Sequence, residues 1–328
     1  MSKILITGAS GFVGSFLVEE ALKSGLEVYA GIRTTSRRRW LRDKRINLLE
    51  QDLSDQTHLE GCMKRYQFDY VIHNAGITKA RNITEYNRIN ADLTKNVAES
   101  AQASDSLRKF VFMSSLAAYG PADYQEDKVL SSKSTPHPVT AYGRSKLSAE
   151  KIIKEIVGLP YLIFRPTGIF GPRESEFLAI FKTINKGIAP SIGLDEQWLS
   201  LIYIKDFARL LVKATVSNVH AKEYFVTDGN LYAASKFNRI IAESLGKNPF
   251  NMRIPLSMVY TSAILNDLLA KVTGKTPMLN RDKYAEIKAR IFDCDISDLV
   301  KDFDFRPQYG LESAVLETAE WYRVNNWL

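Results

Sequence analysis

Short apolar runs rich in β-branched residues recur through the first half of the chain: Lys3–Thr7, Glu27–Ile32, Tyr70–His73, Lys109–Met113 and 161–164. They are strand-length rather than helix-length, and each predicts a buried strand. Between them lie stretches of helical period, such as Phe16, Leu17, Ala21 and Leu22, or Ile152, Ile153, Ile156 and Val157 closed off by Gly158 and Pro160. Strand alternating with helix predicts an α/β fold, a Rossmann-like doubly wound parallel sheet with helices on both faces.

After Pro166 the rhythm changes. A strand is expected over 199–204, a helix from Asp206, another strand over 224–226, and mostly helix over 232–290. The organisation expected is a dinucleotide-binding domain over 1–165, joined by later strands from about 199–228 and 290–305. An interleaved, smaller and mostly helical lobe over 166–328 would mainly bind substrate.

The turn after the first strand reads Thr7-Gly8-Ala9-Ser10-Gly11-Phe12-Val13-Gly14 and opens the first helix. Glycines there permit a tight turn, let the backbone approach a pyrophosphate, and let the helix pack closely on its strand. The helix N-terminus offers its N–H groups to an anion. The spacing is Gly-x-x-Gly-x-x-Gly rather than the commoner Gly-x-Gly-x-x-Gly.

A carbonyl reductase needs an acid near the carbonyl oxygen, a donor to hold that oxygen, and a cation to bring the acid's pKa toward working pH. A tyrosine with a lysine four residues later on a helix meets the first and last needs. Tyr142 with Lys146 fits, but Tyr124/Lys128, Tyr232/Lys236 and Tyr284/Lys288 share the spacing. Context selects Tyr142: it opens an apolar-striped helix, downstream of a strand ending at Ser114-Ser115 and upstream of a strand running into Arg165-Pro166-Thr167-Gly168.

In this order the motifs resemble the extended short-chain dehydrogenase/reductase family, within the NAD-dependent epimerase/dehydratase superfamily, over nearly the whole chain. The matching pieces are Thr7 to Gly14, Asp52-Leu53, His73 to Gly76, Asn90, Ser114-Ser115 with Ala118-Tyr119-Gly120, Tyr142 to Lys146, Arg165 to Pro172, and Tyr203 to Asp206. The resemblance implies Ser115, Tyr142 and Lys146 as catalytic residues. Ser115 would hold the carbonyl oxygen, and Lys146 would lower the Tyr142 pKa while bonding the nicotinamide ribose. It implies cofactor contacts from Gly8, Ser10, Gly11, Phe12, Val13 and Gly14. Asp52 and Leu53 would meet the adenine, and Asn74, Ala75 and Gly76 would line the adenine ribose side. Asn90 would sit near the far end of the cofactor, and Ser114 would face the nicotinamide. The backbone of Pro166, Thr167, Gly168 and Ile169 would meet the carboxamide.

The end of the second strand carries an acid in most NAD enzymes and an arginine in NADP enzymes. Here Gly31-Ile32-Arg33-Thr34-Thr35-Ser36-Arg37 has no acid. Arg33 with Ser36 or Arg37 suits a 2′-phosphate, so NADP is expected, with NAD the alternative.

For the substrate, nucleotide-sugar enzymes of the family usually carry an arginine where Leu199 stands, and its dehydratases an acidic pair where Leu116 and Ala117 stand. The neighbourhood of Thr78, Lys79, Phe170, Phe177, Trp198 and Tyr203 looks more like the dihydroflavonol-reductase-like and 3β-hydroxysteroid-dehydrogenase-like branch. Hydride transfer between a nicotinamide and an apolar alcohol or ketone is expected, with Thr78, Lys79, Phe170 and Tyr203 as substrate contacts. An NDP-sugar epimerase is the first alternative. A non-catalytic dinucleotide-binding sensor is the second, because a fold does not by itself dictate chemistry.

Composition narrows the rest. Hydrophobic residues at 45% and charged ones at 25% of 328 residues mark a globular chain. The net charge of +7 and the cluster Arg37, Arg38, Arg39 and Arg42 beside Trp40 accompany no nucleic-acid motif, and an anionic small molecule accounts for them equally well. Two distant cysteines and four scattered histidines argue against a disulfide framework or a metal site. No apolar run approaches the ~18 residues of a membrane span, and a cytoplasmic protein is expected. By family analogy the helices over 86–103 and 141–157 would pair across a two-fold axis in a homodimer.

Overall fold

The computed structural model describes residues 1–124, 128–273, 279–289 and 291–328. Strands β1 (Lys3–Thr7), β2 (Glu27–Ile32), β3 (Asn47–Glu50), β4 (Tyr70–His73), β5 (Lys109–Met113) and β6 (Tyr161–Pro166) are interspersed with helices. These are α1 (Phe12–Lys23), α2 (Gln56–Tyr66), α3 (Ile83–Asn87), α4 (Leu93–Gln102) and α5 (Ala141–Glu155), with a π-turn over Arg88–Asp92 joining α3 to α4. Beyond β6 follow β7 (Gly168–Phe170), α6 (Leu178–Asn185), β8 (Ile188–Ile192), β9 (Trp198–Tyr203), α7 (Ile204–Thr215) and β10 (Lys222–Val226). The chain closes with β11 (Leu231–Ala233), α8 (Ala234–Leu245), β12 (Phe250–Ile254), α9 (Leu256–Thr273), α10 (Arg281–Lys288), α11 (Ser297–Phe303) and α12 (Leu311–Val324).

Seven strands form one parallel sheet in the order β10-β6-β5-β4-β1-β2-β3. The order reverses between β1 and β4, which opens a crevice at the carboxyl ends of the strands, where such sheets bind ligands. Strand side chains alternate between the two faces. From β5, Phe110 and Phe112 pack with Val97 and Ala101 of α4 and Ile153 of α5. Val111 and Met113 belong instead to the core shared with α1 and α7. Each fully buried phenylalanine stabilises this packing by about 1.5–3 kcal/mol, which is why the short runs hold as strands despite low local propensity for one register.

The later segments divide differently from expectation. Lys222–Val226 pairs with β6 at the sheet edge, but Trp198–Tyr203 pairs with β7 and β11 in a separate small sheet. Of 290–305, residue 290 lies outside the described residues; Ile291 and Cys294 make single bridges to Trp198 and Leu130, and α11 follows. Thr167 N still donates to Val226 O of β10 at 3.0 Å, and from Gly168 on the chain pairs with β9 instead. The first core runs without a break from Ile4 through Phe170 and Phe237 to Tyr322, so the two halves are packed as one body of apolar side chains.

Candidate active site

The glycine turn forms as its spacing predicts. Gly8 adopts φ +66°, and a Cβ on it would lie 2.9 Å from the Ala75 backbone. A Cβ on Gly14 would lie 2.2 Å from the Gly8 carbonyl oxygen, so α1 can start this close to β1 only with glycine there. No side chain caps α1, whose first turn holds no acid, leaving its N–H groups for an anion. Asn74 Nδ2 approaches the Gly8 carbonyl at 3.4 Å and Ala75 N donates to Thr7 Oγ1 at 3.2 Å, which ties β4 to the turn. Behind it, buried His73 bridges Thr7 Oγ1 at 2.9 Å and Thr94 Oγ1 at 3.0 Å, and burial drives its pKa down to about 3.

At the end of β2, Ser36 Oγ accepts from Arg33 N at 3.0 Å and closes a turn that leaves Arg33 and Arg37 exposed. Arg38 is engaged by Glu50, and Arg39 stacks over Trp40 at 4.4 Å. Asp52 is exposed at the end of β3, where Ser54 N and Oγ donate to it and hold its carboxyl below the usual range. Leu53 packs half-buried against α2 and α4, and its carbonyl accepts from Asn96.

A cavity of about 740 Å³ opens over the ends of β4, β5 and β6. Phe12, Val13, Asn74, Gly76, Thr78 and Lys79 line it from one side; Ser114, Ser115, Tyr142 and Lys146 form its floor; Pro166, Thr167, Gly168 and Ile169 close a third side. The lobe adds Phe177, Leu199, Ser200 and Leu201 from α6's approach and β9, and Asp282, Lys283 and Glu286 from α10.

Local chemistry brings Tyr142 to Ser115. Thr140 caps α5 by accepting from Gly143 N at 3.0 Å, and both oxygens of Asp282 accept from Ala141 N at 2.8 and 2.9 Å. Ser115 starts a short turn of its own, its Oγ accepting from Ala117 N at 3.2 Å. Burial pushes the Tyr142 hydroxyl well above its ordinary range, and the neighbouring Ser115 hydroxyl pulls the other way; Glu286 and Glu176 add to the upward push. Lys146 Nζ donates to the Met113 carbonyl at 2.7 Å, and burial lowers its pKa to about 8. Lys146 thus binds the end of β5, one helical turn from Tyr142.

Three further expectations, on Asn90, Phe170 and Tyr203, are corrected. Ser114 borders the cavity, and its hydroxyl donates to buried Glu150. Glu150 also takes Arg165 through Nε at 3.0 Å and Nη2 at 2.7 Å, and that guanidinium lies 4.2 Å from the Tyr119 ring centre, a buried ionic clamp behind Ser114. Asn90 is fully buried behind Gly76, its Oδ1 accepting from Ile77 N and its Nδ2 donating to Ile77 O and Ser145 Oγ, so its polar atoms are spent within the protein. Phe170 and Tyr203 are 2% exposed and pack on each other at 5.6 Å, because β7 and β9 turn those side chains into the core. Neither reaches the cavity, whereas Phe177 and Leu199 do.

Two of the competing tyrosines have other tasks, and the Tyr124 side chain lies outside what the structure describes. Tyr232 donates to Asp228 at 2.7 Å, and Tyr284 packs on Tyr260 at 5.0 Å. Asp206 accepts from Gln308 N and Tyr309 N at 3.0 and 3.1 Å and so anchors the C-terminal segment. The residues that sequence reasoning missed are Gly143, Glu150, Ser200 and Asp282. Only Gly143 carried a signal, as a helix-opening glycine; Ser200 is a buried hydroxyl on the cavity wall without a partner. Among the described residues no group of three metal-ligating side chains occurs, and no helix is long and apolar enough to cross a membrane.

A glycine turn at the switch point of a parallel sheet, with serine and tyrosine over the neighbouring strand ends, defines an NAD-binding Rossmann protein. The chain belongs to the NAD dependent epimerase/dehydratase family, whose model matches residues 4–226. It is similar to the ceramide reductase of Caulobacter vibrioides (strain NA1000 / CB15N), 25% identical over 99% of this chain and 96% of that one. It is also similar to the UDP-glucose 4-epimerase of Vibrio cholerae, 26% identical over 98% of this chain and 96% of that one. Among solved structures, MoeE5 in complex with UDP-glucuronic acid and NAD superposes with a TM-score of 0.75 over 99% of this chain and all of that one, at 24% identity.

Proposed function

We propose that the protein is an NADP-dependent oxidoreductase that interconverts a ketone and an alcohol on a substrate with an apolar body. The observation that carries this reading is the meeting of Ser115 and Tyr142 in a cavity walled by Phe177, Trp198, Leu199 and Leu201. The residues present fit a dinucleotide: the uncapped N-terminus of α1 suits the pyrophosphate, and exposed Arg33, at the end of an acid-free β2, suits a 2′-phosphate. When bound, the nicotinamide supplies or accepts the hydride that changes the oxidation state of the substrate carbon.

The chain's own residues do the rest. The Ser115 hydroxyl donates to the carbonyl oxygen and holds it against Tyr142. The Tyr142 hydroxyl, kept protonated by burial, donates its proton to that oxygen as the alcohol forms. Lys146, buried one helical turn away, supplies positive charge that favours the tyrosinate left behind. In the reverse direction the tyrosinate takes the alcohol proton.

A nucleotide-sugar epimerase is the second reading, favoured by the likeness to UDP-glucose 4-epimerase. Against it, Leu199 lines the wall where such enzymes carry an arginine. Lys79 and Lys283 at the cavity mouth each face a carboxylate, Glu176 at 3.3 Å and Glu286 at 2.5 Å. Loss of NADPH absorbance with a panel of long-chain and polycyclic ketones, set beside epimerisation of UDP-glucose, separates the two. Turnover of UDP-glucose alone would overturn the first reading, and tight NADPH binding with no turnover at all would indicate a sensor. The continuous helix of α3 and α4 with α5 is the proposed dimer face; a monomer by light scattering at micromolar concentration rejects it.

A further inference from the structure

The arginines beside Trp40 line a second cavity, separate from the catalytic one. It measures about 640 Å³ and lies between the later half of α1, the segment joining β2 to β3, and the chain just after β7. Leu22, Trp40 and Ile46 give it apolar walls, and Lys23, Arg39, Arg42, Arg45 and Arg173 bring five cations against Glu19 and Asp43. Among the described residues none lines both cavities. Phe12 opens α1 at the catalytic cavity; Glu19 and Lys23 stand about 10 and 16 Å further along the helix at ~1.5 Å per residue. Arg33 and Arg37, the candidates for a 2′-phosphate, are not among its walls.

Both acids are already engaged. Glu19 accepts from Arg173 Nη2 at 2.6 Å, and Asp43 accepts from Arg45 Nη2 at 2.7 Å and Nε at 3.0 Å. Lys23 meets Glu20 at 3.5 Å. Arg39 and Arg42 have no carboxylate partner among the described residues; Arg39 lies 4.4 Å over the Trp40 ring, and Arg42 is exposed.

Arg173 is the most buried of the five cations, its side chain 14% exposed. It sits at φ +75°, in the left-handed region that a non-glycine residue rarely adopts, and its guanidinium packs 4.3 Å from the Phe16 ring centre and 4.8 Å from that of Trp40. Nη1 donates to Ser15 Oγ at 2.9 Å, but Nε is buried without an acceptor. Backbone strain and an unmatched buried donor both oppose folding, and features of this kind gather at ligand sites.

We propose that this cavity binds a small organic phosphate, held by the Arg39 and Arg42 guanidinium groups with its body against Leu22, Trp40 and Ile46. Two forks without a carboxylate match a phosphate monoester, which carries a charge of about −1.5 to −2 at neutral pH and accepts from arginine bidentately. The cavity falls within the ~300–1,000 Å³ of small-molecule sites and is far larger than a bare anion, so the ligand has a body as well as a charge. The proposal stands whether or not the catalytic cavity reduces ketones.

The test is equilibrium dialysis of the full chain against phenyl phosphate, inorganic phosphate and benzoate at about 0.1 M salt, where exposed charges are only partly screened, with and without NADPH. Phenyl phosphate is expected to bind at one equivalent, at least tenfold more tightly than the other two, whether or not NADPH is present. Arg42→Ala should weaken it about tenfold or more, as loss of a charge-assisted hydrogen bond implies, and Arg42→Glu should abolish it, while thermal melting and NADPH affinity stay unchanged. Arg39→Ala gives an independent reading should either variant fail to fold. Arg33→Ala should leave phenyl phosphate binding as it is. No binding of phenyl phosphate, equal binding of benzoate, or undiminished binding by the Arg42 and Arg39 variants would overturn the proposal. Displacement by NADPH, or loss of binding in Arg33→Ala, would assign the phosphate to the cofactor site and overturn it too. Phenyl phosphate binding without ketone reduction refutes the catalytic reading alone, and ketone reduction without such binding refutes this site alone.

Discussion

Gly143 lies so close to Ala117 that a Cβ on it would stand 2.1 Å from the Ala117 carbonyl oxygen. This contact presses the first turn of α5 onto the turn that Ser115 begins, and it is what brings a helix residue and a strand-end residue together. Gly143→Ala must push the two apart by a large fraction of an ångström. Turnover is expected to fall about a hundredfold, the loss that a misplacement of ~1 Å brings, while NADPH affinity is retained. A variant with undiminished turnover would show that the contact does not position the site.

Removing the acid and the donor separately tests their roles. Tyr142→Phe is expected to lower turnover by about 10²–10⁴-fold, the contribution of a general acid. Ser115→Ala should cost about 10²–10³-fold, the range for one oxyanion donor. Both should bind NADPH as the wild type does in a fluorescence titration. Full activity of the phenylalanine variant would remove Tyr142 from the mechanism.

Arg33 decides the cofactor in our reading. Arg33→Ala should weaken NADPH binding about tenfold or more, as loss of a charge-assisted hydrogen bond of ~1.5–3 kcal/mol implies, and leave NADH unchanged. An unaltered NADPH preference would reassign the 2′-phosphate to another group or the enzyme to NAD.

His73 predicts acid sensitivity. Burial lowers its pKa from 6.5 to about 3, so between those values the unfolded chain binds a proton that the folded protein refuses. Its share of stability is complete above pH 6.5 and is lost as pH falls toward 3, at up to about 1.4 kcal/mol per pH unit. Urea midpoints measured across that window should fall more steeply for the wild type than for His73→Gln. Parallel curves would mean that the proton is accommodated without unfolding.

Much of this was legible before folding because it is local. The runs at β1, β2, β4, β5 and β6 combine β-branched residues with turn residues at their ends, and those preferences act over a few residues. Gly8, Gly11 and Gly14 announce their turn because only glycine permits such backbone approach. β3, with the sequence Asn-Leu-Leu-Glu and exposed at the sheet edge, has no such pattern and forms by pairing with β2.

What the tertiary structure decided is which identical signals mean chemistry. Four tyrosines precede a lysine by four residues; among those whose side chains are described, Tyr142 stands over the strand ends beside Ser115, because the sheet brings β5 beneath α5. Phe170 and Tyr203 look like pocket aromatics in sequence, yet the small sheet of β7 and β9 turns them inward and leaves Phe177 and Leu199 to line the cavity. Asn90 and Ser114 carry the right atoms, but Ile77 and Glu150 take those atoms first. A residue's chemistry is written in its side chain; its partners, which determine how that chemistry is used, lie tens of residues away and are assigned only by packing.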